Sequence, residues 1–143
     1  MEQKEMIDLL RQVASGTMDV EQAALKLKEE PFEDLGFAKI DHHRAMRQGV
    51  AEVIYGEGKT PEQIFRIAEA MKEKGQKAVL ITRMNKESAI YMGERLELQY
   101  DEVSRIGFIG EAPIKDGDGK IVVATGGTSD IPVAEEAART AET

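Results

Sequence analysis

The chain has 143 residues, of which 41% are hydrophobic; that is enough for one ordinary domain and a real core, and it excludes disorder as the default reading. A formal net charge of −8 and a pI near 4.9 argue against nucleic acid and anionic membrane surfaces as partners. There is no cysteine, which removes disulfides, thiolate nucleophiles and Cys-ligated metals; with no signal-peptide core or membrane-length apolar run, the sequence reads as a soluble cytoplasmic protein.

Met6, Leu9, Leu10 and Val13 recur at helical spacing over residues 2–14, and Ser15-Gly16 ends that run. Asp19 and Gln22 have the spacing of a capping box for a second helix through about Lys28, with Val20, Ala23, Ala24 and Leu27 on one face. Two short helices around a glycine turn make a helical hairpin, suited to packing or docking more than to catalysis.

Residues 31–37 form a connector with apolar anchors at Phe32, Leu35 and Phe37. After it come both histidines of the protein, His42 and His43, beside Asp41, Arg44 and Arg47. A helix starting at Asp41 would set His43 and Arg47 on one face and pair Asp41 with Arg44. Three readings stay open here. Adjacent histidines point apart, which disfavours a metal site; an anion-binding patch of Arg44, Arg47 and an imidazole competes with a structural ion-pair network.

Residues 51–55 read as a strand, and a helix from Pro61 to about Lys74 follows Gly56-Glu-Gly-Lys-Thr60. Thr60 caps it, Pro61 takes its first position, Gln63 completes a capping box, and Ile64, Ile67, Ala68 and Met71 form its buried stripe. A P-loop is rejected, because Val53 stands where that motif needs glycine. Lys59 beside a helix N-terminus can hold one phosphate, or the segment is simply a well-capped turn.

A second strand spans residues 76–82, its apolar run implying burial on both faces. Asn85 caps a helix through about Arg95 with Ala89, Ile90 and Met92 inside, and a β segment follows from Tyr100 to Ile109 through Val103, Ile106 and Phe108. The expected fold class is therefore α/β: a helical hairpin (1–31), a small α/β domain (32–112), and a glycine-rich linker (113–119).

The last 24 residues, 120–143, read as a strand over Ile121–Ala124, a polar glycine turn and a helix from Val133 to about Ala141. Gly126 and Gly127 permit positive φ and close backbone approach to a ligand, and Thr128 and Ser129 offer hydroxyls. Asp130 at the helix start would repel a phosphate but suits hydrogen bonds from ribose hydroxyls. The alternative is that Ser129 or Asp130 is only a cap and the glycines only a turn.

Residues 32–37, 39–49, 56–61 and 127–137 together resemble the LarB family, in order and across essentially the whole chain. That resemblance implies a reaction on nicotinic acid adenine dinucleotide: carboxylation of the pyridinium ring with bicarbonate or CO2, and hydrolysis of the phosphoanhydride to release AMP. The product is the biscarboxylated mononucleotide used for the nickel-pincer cofactor of lactate racemase. It implies a PurE-like C-terminal domain, of which 120–143 would be the first βα unit, with Gly126, Gly127, Thr128, Ser129 and Asp130 on the mononucleotide half. Asp41, His42, His43, Arg44, Arg47 and Lys59 are candidates for the adenylate or phosphates. It also implies a ring-activating cysteine, absent from these residues, so this chain alone is expected to be inactive and to hold no cofactor. Mg2+ and homo-oligomerisation through the C-terminal domain belong to the full-length enzyme. The competing readings are a non-catalytic interaction or oligomerisation module and a relative of phosphoribosylaminoimidazole carboxylase.

Overall fold

A computed structural model describes residues 3–27, 32–42, 44, 51–111 and 119–143. The chain divides into two compact units, Met1–Glu52 and Val53–Thr143.

In the first unit, α1 (Gln3–Ala14) and α2 (Val20–Leu27) form the expected hairpin. Its turn is closed by the Thr17 amide donating to the Gln12 carbonyl (3.0 Å) and by the Ser15 and Thr17 hydroxyls, which donate to the same oxygen. Leu9 and Ala23 are buried, while Leu10, Val20 and Leu25 are exposed, so the apolar stripes are covered only in part. The connector expected at 31–37 is instead half of a β-hairpin, with β1 (Phe32–Asp34) antiparallel to β2 (Lys39–Asp41) and Glu33 opposite Ile40. The Leu35 amide donates to the Ala38 carbonyl (2.9 Å) and the Gly36 amide to Asp34 Oδ1 (2.8 Å), which closes the turn. Ile40 is buried in this hairpin. Asp41 ends β2, so the helix expected over this stretch does not start at that residue; Arg44 is helical, and residues 43 and 45–50 lie outside the described residues.

The second unit is built on a four-stranded sheet. In chain order its elements are β3 (Ile54–Tyr55), α3 (Pro61–Glu73), β4 (Ala78–Thr82), α4 (Lys86–Gly93), β5 (Leu98–Asp101) and β6 (Ile106–Gly110). The strand order is β3-β4-β6-β5, with β3 and β4 parallel across α3 and the other pairings antiparallel. The first three elements are thus a β-α-β unit, to which a β-hairpin is added.

Local sequence accounts for the helices. The Thr60 hydroxyl accepts from the Gln63 amide (3.2 Å) and the Gln63 side chain accepts from the Thr60 amide (3.0 Å), a complete capping box with Pro61 behind it. Ile64, Ile67, Ala68 and Met71 are buried as their spacing requires. Asn85 caps α4 by accepting from the Ser88 amide (2.7 Å). Helices α3 and α4 pack on each other and on the sheet, so Val79, Ile81 and Ile109 lie in one core with Met84 and Met92, all almost inaccessible. The alternate residues Leu80, Ile106 and Phe108 form a second cluster with Val53 and Ala78 on the opposite face. Burial of β4 on both faces follows its continuous apolar run.

Three expectations for this unit fail. Ile90 is 60% exposed, because Ser88, Ala89 and Met92 define the inner face of α4 and Ile90 lies a quarter turn or more away from it. Val103 is an exposed turn residue between β5 and β6, not part of a strand. Ile121–Ala124 carries no regular secondary structure and lies outside any sheet, with Ile121 75% and Val122 85% exposed. The β-branched run supplies propensity, but a strand exists only with a neighbour to bond to, and none pairs with it among the described residues.

After this segment a 3-10 turn (Thr128–Asp130) leads directly into α5 (Ile131–Glu142). Helix α5 lies by the second sheet face, where Arg139 stands 3.6 Å from Asp101 and, with Ile106 and Phe108, lines an open hollow of about 390 Å3. Among the described residues, no helix is long and apolar enough to cross a membrane.

Candidate functional site

The turn at 125–130 is wholly exposed. Its backbone is held by the Asp130 amide, which donates to the Gly127 carbonyl (3.1 Å), and by the Thr125 hydroxyl at 3.5 Å from the same oxygen. Neither Gly126 nor Gly127 has positive φ, contrary to one reason for expecting glycine there. Gly127 is extended, with φ −160. A Cβ at Gly126 would meet nothing within 4 Å, and one at Gly127 would only reach ordinary contact with Ser129 and Asp130. Asp130 precedes α5, but its carboxylate makes no capping hydrogen bond to that helix. Ser129 and Asp130 therefore present a hydroxyl and a carboxylate to solvent.

The polar residues expected earlier in the chain are distributed over both units. His42 is nearly buried and hydrogen-bonds through Nε2 to Glu33 Oε2 at 2.8 Å, across the β1–β2 hairpin. Arg44 pairs with Glu52 at 3.0 Å, and its buried Nε has no hydrogen-bond partner among the described residues. Asp41 is half-buried at the end of β2; His43 and Arg47 lie outside the described residues. In the second unit Lys59 donates to the Tyr55 carbonyl at 2.7 Å and stands 6.0 Å above the Tyr55 ring, folding back over its own turn. Among the described residues no three His, Asp or Glu side chains converge as ligands of a metal.

A cluster that no motif announced lies at the carboxyl ends of the two parallel strands. Tyr55 ends β3 and donates its hydroxyl to Glu57. Arg83 follows β4 and donates Nε to Glu136 of α5 at 2.5 Å, with Nη1 4.0 Å from Glu57. Arg105 donates Nη2 to the Arg83 carbonyl (3.2 Å) and Nε to the Met84 carbonyl (3.4 Å), while the Met84 amide donates to the Arg105 carbonyl (2.8 Å). Both arginines adopt left-handed backbone conformations, Arg83 at φ 53 and Arg105 at φ 57. Such conformations cost a bulky residue about 1–2 kcal/mol and are held by the surrounding structure.

The electrostatics follow the contacts. The hydrogen bond to Glu57 holds the Tyr55 phenol above its ordinary value, and the same bond holds the Glu57 carboxyl below its own. The Glu136 carboxylate raises Arg83 further. The only local signal in the sequence is that Tyr55-Gly-Glu57 and Arg83 each follow a strand at its carboxyl end, where open α/β sheets carry ligands. Glu136 is 53 residues from Arg83, so their meeting is a property of the fold alone.

Two comparisons bear on identity. Residues 32–111 match the family model described as the LarB/PurE-like N-terminal domain. An uncharacterized protein of Methanocaldococcus jannaschii is 29% identical over 146 residues, covering 97% of this chain and 57% of that protein, so the chain spans little more than half the length of the curated relative it matches. The matched region takes in the β1–β2 hairpin and the whole four-stranded sheet with α3 and α4. With the family model covering more than half of its residues, the chain belongs to the LarB family.

Proposed function

We propose that the chain is the N-terminal portion of an enzyme that carboxylates the pyridinium ring of nicotinic acid adenine dinucleotide and hydrolyses its phosphoanhydride. In that reaction the new carboxylate comes from bicarbonate or CO2 and replaces a ring proton. Water cleaves the phosphoanhydride, giving AMP and pyridinium-3,5-biscarboxylic acid mononucleotide. The observation that carries this reading is the family match over 32–111.

Gly126, Gly127, Thr128, Ser129 and Asp130 take the mononucleotide half. What supports the assignment is that neither glycine is required by its own φ or by crowding, which leaves ligand approach as a reason for the missing side chains. Asp130, free of capping duty, accepts ribose hydroxyls, and the Ser129 hydroxyl and nearby amides meet the phosphate. Asp41, His42, His43, Arg44, Arg47 and Lys59 are proposed for the adenylate end. The division into a helical hairpin (1–31), an α/β domain (32–112), a linker (113–119) and the opening βα unit of a PurE-like domain (120–143) is part of the same proposal. On this reading Ile121–Ala124 becomes a strand when the remainder of that domain is present.

Calorimetric titration with nicotinic acid adenine dinucleotide tests the proposal, using a longer chain that carries the C-terminal domain. Ser129→Ala and Asp130→Ala weaken binding by about 10-fold or more, the scale of a charged hydrogen bond. Binding indifferent to both substitutions refutes the site. The 143-residue chain is expected to release no AMP from the dinucleotide, and release would refute its inactivity.

A further inference from the structure

Helix α5 has no buried residue. Ala134, Glu135, Glu136 and Ala138 are half-covered and Val133 is 58% exposed, so apolar burial defines its position weakly. Two ion pairs join it to the sheet: Glu136 meets Arg83 at 2.5 Å, and Arg139 meets Asp101 at 3.6 Å. We propose that Arg83 is a positioning residue for the nucleotide turn, acting through Glu136 to set the start of α5 at the carboxyl ends of β3 and β4, a role that rests on assigning Gly126–Asp130 to the mononucleotide.

Strand register gives the direction of the helix. Tyr55 pairs with Thr82, Ile81 with Gly107 and Asp101 with Ile106. Tyr55, Thr82, Ile106 and Asp101 thus form one row across the sheet, at the carboxyl ends of β3, β4 and β5. Arg83 stands one residue past this row. Strand β6 lies between β4 and β5, a separation of about 10 Å at the usual strand spacing. Glu136 and Arg139 are neighbours on one face of α5, so going from Arg139 to Glu136 moves from the β5 side to the β4 side. Six residues further in that direction, about 9 Å along the axis, Asp130 comes towards β3. The Tyr55 phenol, raised first by its bond to Glu57, is raised also by the Glu136 carboxylate, which puts Glu136 within electrostatic reach of β3.

The two pairs have opposite polarity. Helix α5 presents a carboxylate to the arginine after β4 and a guanidinium to the carboxylate ending β5. A reversed helix would set Arg139 against Arg83 and Glu136 against Asp101, so the contacts select its direction as well as its place. The backbone that carries the guanidinium is held independently of Glu136. Arg83 is left-handed at φ 53, its carbonyl accepts from Arg105 Nη2 at 3.2 Å, and the Thr82 carbonyl accepts from the Gly56 amide at 2.7 Å. Such a conformation in a bulky residue is sustained by its surroundings. On the proposed division α5 opens the C-terminal domain, and the Arg83–Glu136 pair is then the contact by which the α/β domain orients the turn of its neighbour.

Calorimetry with nicotinic acid adenine dinucleotide, on the longer chain that carries the C-terminal domain, tests the role in Arg83→Gln, Glu136→Gln, their double variant and Arg83→Lys. Each glutamine variant is expected to bind about two- to fivefold more weakly than wild type, the scale of a partly exposed ion pair. The double variant is expected to bind no more weakly than either single one, because both break the same contact. Arg83→Lys keeps the charge and is expected to bind more tightly than Arg83→Gln. In the 143-residue chain, Arg83→Gln and Glu136→Gln are expected to shift the same Ser129 and Asp130 amide resonances while those of α3 stay in place, which reports a retained fold. Wild-type affinity in Glu136→Gln overturns the role, since a guanidinium that met the ligand directly would not need Glu136. Additive losses in the double variant, or Arg83→Lys no better than Arg83→Gln, overturn it as well. Ser129→Ala and Asp130→Ala in the same assay separate the two proposals. Losses there with wild-type affinity in Glu136→Gln refute the positioning role alone. No loss there refutes the mononucleotide assignment and the role built on it, while coincident turn shifts in the shorter chain would still establish that Arg83 places α5.

Discussion

Replacing Gly56 with alanine probes how tightly the carboxyl ends of β3 and β4 are joined. The Gly56 amide donates to the Thr82 carbonyl at 2.7 Å, and a Cβ built on Gly56 would lie 2.9 Å from that same oxygen. It would also lie 3.4 Å from the Arg83 carbonyl oxygen and the Met84 Cα. Ordinary contact begins near 3.4 Å, so the strand ends must separate by about 0.5 Å, and every crowding atom belongs to the backbone. Overpacking of this kind costs about 1–3 kcal/mol. At roughly 4–8 °C per kcal/mol for a domain of this size, the expected fall in melting temperature is about 10 °C. Two other glycines calibrate the result. Gly58 has φ +77 and open space around it, so Gly58→Ala carries only the left-handed cost, about 1 kcal/mol. Gly110 has φ +102 and a Cβ position 2.1 Å from the Lys77 carbonyl oxygen, so its alanine variant suffers both effects and is the least stable. Thermal unfolding by circular dichroism gives the order. A Gly56→Ala protein that melts within about 2 °C of wild type, or above Gly58→Ala, refutes the steric argument.

Thr60→Ala is expected to lose about 1 kcal/mol by breaking the α3 capping box, and Thr60→Ser to retain most of it, as measured by urea unfolding. Ile64→Ala, at a fully buried position against the sheet, is expected to cost about 2–5 kcal/mol in the same assay. The Asp101 carboxyl is held below its ordinary range first by the Ser104 amide (2.8 Å), then by the Ser104 hydroxyl, with Arg139 adding to both. A carboxyl lowered by folding contributes stability that is complete above its unfolded value of about 3.9 and is lost as pH falls through the folded value. Asp101→Asn is therefore expected to melt below wild type at neutral pH, with the gap closing as the pH drops below about 4; a gap independent of pH would show that Asp101 acts without its charge.

What could be read from the sequence is what local chemistry decides. Thr60, Pro61 and Gln63 define the start of α3 within four residues, and the structure realises each contact. The continuous apolar run of β4 gave its burial correctly for the same reason. The failures lie where a partner decides. Phe32–Asp34 is a strand because Lys39–Asp41 is folded beside it, and three residues are too few to show a period. Ile121–Val123 has strand propensity but no neighbour to realise it among the described residues. The Arg83–Glu136 contact joins two unremarked charges that only the packing of α5 brings together, whereas the exposed Gly126–Asp130 turn was visible at once because its glycines and hydroxyls are adjacent in sequence.

The strand order has a consequence for the order of events on the ribosome. Although β6 is the last strand made, it is placed inside the sheet, between β4 and β5. Until Gly110 is available, β4 has only the two-residue β3 beside it and β5 has no neighbour in this sheet. Helices α3 and α4 can form early, but the surface on which they settle is completed in a single late insertion. A nascent chain stopped short of Gly110 would lack its sheet, and helices of 13 and 8 residues are marginal without the surface on which they pack. The smallest piece of this unit able to fold by itself must therefore extend through β6, and the family's matched region ends one residue beyond it.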